Sequence, residues 1–91
     1  MSGLRIARQI IPLVCTTVQA TTVVLMYLEV CNPTEAPVTF GAWDMEGLCV
    51  IPSQPIQAGG MLTYEAKFGN LLSGLRWQAS APGLIGWAQG E

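Results

Sequence analysis

Met61-Leu62-Thr63-Tyr64-Glu65-Ala66-Lys67-Phe68 decides the fold. Leu62, Tyr64, Ala66 and Phe68 share one parity, and Thr63, Glu65 and Lys67 share the other. Successive side chains of a strand point to opposite faces, so this alternation predicts a strand with one buried and one wet face. Gly69-Asn70 after it reads as a turn. The one place for helix is a single turn over residues 70–73. Beyond it Leu75, Trp77 and Ala79 alternate with Arg76, Gln78 and Ser80, which places Trp77 in the core. Ala81-Pro82-Gly83-Leu84 fits a type II turn, with proline first and glycine supplying positive φ second. Residues 84–88 form the last strand.

On the N-terminal side, residues 52–60 carry two prolines and Gly59-Gly60, which predicts a loop. Residues 48–51 form a short returning strand. Asp44-Met45-Glu46-Gly47 reads as a tight hairpin turn. Before it, Val38, Phe40 and Ala42 face one way and Thr39 and Trp43 the other. Asn32-Pro33-Thr34 and Pro37 mark another turn. Residues 21–31 form a strand with apolar residues on both parities: Thr22, Val24, Met26, Leu28 and Val30 on one, Val23, Leu25 and Tyr27 on the other. Such a strand is central or covered. Residues 4–11 put Leu4, Ile6 and Ile10 on one face. About seven short strands with turns every ~8–12 residues predict an all-β fold, a small antiparallel β-sandwich or jelly-roll-like domain. Residues 1–91 are one domain, with residues 1–14 readable as an N-terminal arm.

Composition says how this domain lives. Hydrophobic residues make up 51% of the chain and charged residues only 11%, where about 25% is usual for a soluble domain. A small domain hides only ~60–65% of its unfolded surface. Some apolar surface is therefore expected to face another chain or a membrane. The candidate contact residues are Ile10, Ile11 and Leu13 in the arm, with Trp43 and Trp87. Arg5, Arg8, Lys67 and Arg76 are scattered and form no stripe, so nucleic-acid binding is not expected.

From residue 9 to residue 28 no residue is charged, about the ~20-residue length of a spanning helix. Its threonines, Gln19 and Pro12 argue against a span, and no membrane association is expected. The apolar run before Val18-Gln19-Ala20 is too short for a signal peptide. Synthesis without export follows as the expectation.

Chemistry is sparse. The chain has no histidine, which removes the commonest general base and the usual triads and dyads. Asp44 and Glu46 flank a turn and read as turn formers. Glu29, in an apolar strand, is expected to pair with Arg76 or Lys67. The three cysteines, Cys15, Cys31 and Cys49, are an odd number without CxxC spacing. They read as free, buried thiols rather than a disulfide framework or a zinc site, with one pair plus a free thiol as the alternative. No enzyme activity, cofactor, metal or small-molecule ligand is expected. The tryptophans Trp43, Trp77 and Trp87 leave one alternative open, a stacking platform for sugars.

Asn32-Pro33-Thr34, the hairpin over residues 38–47, Ile56-Gln57-Ala58-Gly59-Gly60, and Gly74-Leu75-Arg76-Trp77-Gln78-Ala79-Ser80 with Gly86-Trp87 together resemble small β-sandwich proteins of bacteriophage virions, such as capsid decoration or head- and tail-associated proteins. The likeness covers about two-thirds of the chain and lies in its pattern of strands and turns. It implies a non-enzymatic structural virion protein, made in the host cytoplasm, that packs against itself or other virion proteins in a capsid or tail. A glycan-binding or adhesive β-domain is the alternative.

Overall fold

Residues 3–91 are described by a computed structural model. Met1 and Ser2, the start of the expected arm, lie outside them. The described chain is all-β: β1 (Arg5–Ile10), β2 (Thr16–Gln19), β3 (Val23–Cys31), β4 (Val38–Trp43), β5 (Cys49–Ile56), β6 (Met61–Leu72), β7 (Leu75–Ala79) and β8 (Ile85–Gly90). Two four-stranded antiparallel sheets pack together, ordered β1-β8-β3-β6 and β2-β7-β4-β5. The first strand pairs with the last, the second with the seventh, and so inward to the hairpin β4–β5. This nested pairing is the jelly-roll arrangement. The eighth strand beyond the expected seven is β2, which is short and polar.

Between the sheets Trp77, Phe40, Leu25, Leu28, Val30, Leu75 and Leu84 are fully buried. Trp77 is the largest of them and meets Phe40 edge-on, centroids 6.2 Å apart. Its indole N–H is buried with no acceptor among the described residues.

Two bulges decide which side chains reach this core. In β3, Leu25 pairs with Asn70 and Tyr27 with Glu65, so Met26 stands opposite an excursion of β6 over residues 66–69. The bulge reverses the parity of β3. Val23 and Leu25 point inward before it, and Leu28 and Val30 after it. The strand is thus not apolar on two faces. It carries one apolar face whose phase shifts by a residue. In β1, Ile6 pairs with Ala88 and Gln9 with Gly86, leaving Ala7 and Arg8 together opposite Trp87. Ile6 and Ile11 are therefore buried and Ile10 turns outward. Residues 4–11 belong to the chain's own sheet and core, which corrects the reading of that segment as an arm.

Three further expectations are corrected. β5 runs straight through Pro52 and Pro55, where a loop was expected. It is an edge strand, and Pro52 and Ser53 bulge out opposite Gly41, so a missing N–H breaks little of the ladder. β6 continues to Leu72, with Gly69 at φ 84° closing the excursion instead of turning the chain. The excursion also turns Phe68 outward, 90% exposed. No helix is present among the described residues, at residues 70–73 or elsewhere. Residues 9–28 form strands and loops, and no helix of the described residues is long and apolar enough to cross a membrane.

The turns at Asn32-Pro33-Thr34, at residues 44–47 and at residues 81–84 hold as read. Asn32 is buried and uses its whole side chain: Nδ2 donates to the carbonyls of Ala36 (2.9 Å) and Ile56 (2.7 Å), and Oδ1 accepts from the Thr34 N–H (3.0 Å) and hydroxyl (2.6 Å). Gly83 takes φ 120° in the β7–β8 turn.

Candidate interaction surfaces

The expected contact residues do not gather at one place. Ile11 is 1% exposed and packs in the core, so it cannot touch a partner. Ile10 is 67% exposed on the outer face of the β1-β8-β3-β6 sheet, and Leu13 and Val14 are exposed in the loop beyond it. Trp87 is half-buried on that same outer face. Trp43 is half-buried on the outer face of the other sheet. The two tryptophans therefore stand on opposite sides of the sandwich.

Around Trp87 the outer face carries a tied group. Trp87 and Glu29 are directly paired across β8 and β3. The indole Nε1 donates to Glu29 Oε1 at 2.8 Å, and the Tyr27 hydroxyl donates to Oε2 at 3.3 Å. The Tyr27 and Trp87 rings lie 5.0 Å apart, tilted at 41°. Glu29 thus finds aromatic donors, not the expected Arg76 or Lys67. Arg76 lies on the other sheet and gives its Nε to the Asp44 carbonyl at 3.1 Å.

Cross-strand register adds what periodicity along one strand could not. Ile10 pairs with Ile85, Ile85 with Cys31, and Cys31 with Met61, so an apolar row crosses all four strands of the outer face. Arg5, Gln89, Tyr27 and Glu65 form a second row by the same registers. The Trp87–Glu29 pair lies between them, with Thr63 beside Glu29 and Arg8 near Trp87. Farther along, Leu71 is exposed opposite Val24, and Phe68 protrudes from the excursion with the Lys67 ammonium 5.6 Å from its ring centre. Met45 and Leu48 are exposed at the β4–β5 hairpin.

On the opposite sheet, Trp43 lines a shallow cleft of about 210 Å³ with Thr39, Gly41, Ser53, Gln78 and Ser80. Gly41 is its floor. A Cβ there would stand 2.8 Å from the Trp43 ring and 2.8 Å from the Ser53 hydroxyl, so only glycine lets the indole lie along the sheet. Several polar groups are already engaged: Ser80 Oγ accepts from the Thr39 N–H, and Gln78 Nε2 donates to the Leu13 carbonyl, both at 2.9 Å.

Asp44 and Glu46 make no acid–base pair. Asp44 is buried, and its Oδ1 accepts from the N–H groups of Glu46 and Leu48 at 2.9 Å each, which builds the turn. The three thiols are free, but Cys15 and Cys49 are exposed and Cys31 half-buried, which corrects their expected burial. Cys15 lies in the β1–β2 loop, and Cys49 pairs with Trp43 on the outer face of its sheet, where neither gains cover. Among the described residues, no cluster of histidine, cysteine and carboxylate side chains could hold a metal. Compared with protein-family models, curated proteins and solved structures, the chain matches none.

Proposed function

We propose that this protein is a non-enzymatic structural subunit of a phage virion, packing against copies of itself and other virion proteins in a capsid or tail after synthesis in the host cytoplasm. The observation that carries the reading is the exposed apolar surface of a chain with few charges. Ile10, Val14, Leu48, Met61, Phe68 and Leu71 are all more than half exposed. Of these, Ile10 and Met61 share one row with Ile85 and Cys31 on the outer face of the β1-β8-β3-β6 sheet, and a contiguous apolar patch marks an interaction site. The jelly roll adds support by analogy, being a fold of viral capsid domains. The test is sedimentation velocity of the purified chain over a range of concentrations, with and without purified particles. Concentration-dependent association or particle binding is expected. A monodisperse monomer at high concentration that binds no particle would sink the reading. Capsid, portal or tail genes beside its own would bear on the phage assignment directly.

The Trp43 cleft supports a second reading, a glycan-binding or adhesive domain. An aromatic wall beside hydroxyls and an amide suits a sugar ring, and lectins share the jelly roll. Titration with a panel of methyl glycosides, followed by tryptophan fluorescence, tests it. Saturable quenching lost in Trp43→Ala would favour this reading, and no response would remove it.

A further inference from the structure

We infer that the outer face of the β1-β8-β3-β6 sheet is self-complementary and docks face to face on a second copy of this chain, about a two-fold axis parallel to the strands. The inference rests on the assembly reading above and names the surface that would serve it.

The geometry follows from the rows. A two-fold axis along the strands, between the central strands β8 and β3, keeps each row in place and reverses its order. β1 of one copy then lies over β6 of the other, and β8 over β3. Ile10 comes over Met61 and Ile85 over Cys31, closing the apolar row on itself. In the other row Arg5 comes over Glu65, twice per dimer. The alternative axis, in the sheet plane but across the strands, fails. It sets β1 over β1 and lays the charged row on the apolar row.

Size sets the strength. Four strands ~4.8 Å apart and five residues of ~3.4 Å rise give a footprint of roughly 330 Å² per copy. The total falls below the ~1,200 Å² of a stable isolated complex, so association is weak, as fits a subunit held by several contacts at once. The two Glu29 carboxylates approach near the axis, and each keeps its own two donors.

Charge reversal tests this. Arg5 and Glu65 are exposed, so single variants should fold, with circular dichroism and melting as the control. Arg5→Glu and Glu65→Arg are each expected to weaken dimerisation at least roughly tenfold in sedimentation equilibrium at low salt. The double variant Arg5→Glu/Glu65→Arg should return to within about threefold of the parent, because the contact is restored with its signs exchanged. If the parent associates but single reversals change nothing, or the double variant is no better than the singles, this face is not the interface and the assembly reading stands. A parent that stays monomeric at every concentration overturns this inference. It overturns the assembly reading only if particles also fail to bind it.

Discussion

The indole N–H of Trp87 donates to Glu29 across β8 and β3 at 2.8 Å, which fixes a carboxylate in the middle of an outer sheet face. Glu29→Gln keeps an acceptor for that N–H and should change stability by less than about 0.5 kcal/mol. Glu29→Leu leaves the Trp87 and Tyr27 donors to water, at a cost of about 1 kcal/mol. Urea unfolding of the two variants is the measurement. If two copies dock on this face, Glu29→Gln should also tighten the dimer by removing like charges near the axis, whereas a distant interface would not respond.

Asn32 ties the β3–β4 turn to the end of β5 through the Ile56 carbonyl at 2.7 Å. Its backbone also accepts from Gly59 and donates to the Gly60 carbonyl, at 2.8 and 2.9 Å. Asn32→Ala takes the amide donor from the buried Ile56 carbonyl, while the Ala36 carbonyl keeps the Thr34 hydroxyl at 2.9 Å. Asn32→Asp sets a carboxylate against them. Each should destabilise by about 2–3 kcal/mol, read as a lowered melting temperature. A loss below about 0.5 kcal/mol would mean that water replaces the amide.

How much of this was legible follows from what periodicity can carry. β4 and β7 alternate cleanly because each has one core face, so Phe40 and Trp77 were readable as core. β3 was misphased because both parities are apolar and only its pairing with β6 and β8 reveals the bulge at Met26. β5 was missed because its prolines signal a loop, and only sheet order shows that it lies at an edge. The same limit hid the outer-face row. Ile10, Ile85, Cys31 and Met61 come from four strands, and each looks unremarkable along its own strand. Trp43 stood out because it lies on the polar parity of β4.

Free thiols at exposed sites give a simple chemical test. Alkylation of the native protein without reductant should modify Cys15 and Cys49 quickly and Cys31 more slowly, following exposure. Mass spectrometry should finally show all three modified. Two thiols protected until reduction would mean that a disulfide forms and that the chain matures in an oxidising compartment.

The N-terminal strand separates folding from assembly. Leu4 and Ile6 are buried, β1 is hydrogen-bonded to β8, and the Gly90 N–H donates to the Leu4 carbonyl at 2.9 Å. Burial of two such side chains is worth roughly 3–6 kcal/mol, a large part of the ~5–15 kcal/mol that holds a small domain together. Removing residues 1–9 should therefore cost the fold itself, seen as lost cooperative unfolding by circular dichroism. Ile10 lies next in sequence but points outward, so Ile10→Ser should leave the melting temperature nearly unchanged. Its effect should appear in light scattering as weaker association, since the apolar row loses its first member. If the truncated chain keeps its cooperative transition, β1 is dispensable to the core. The segment is then a detachable arm after all, and its apolar residues are free to pair with a neighbouring subunit.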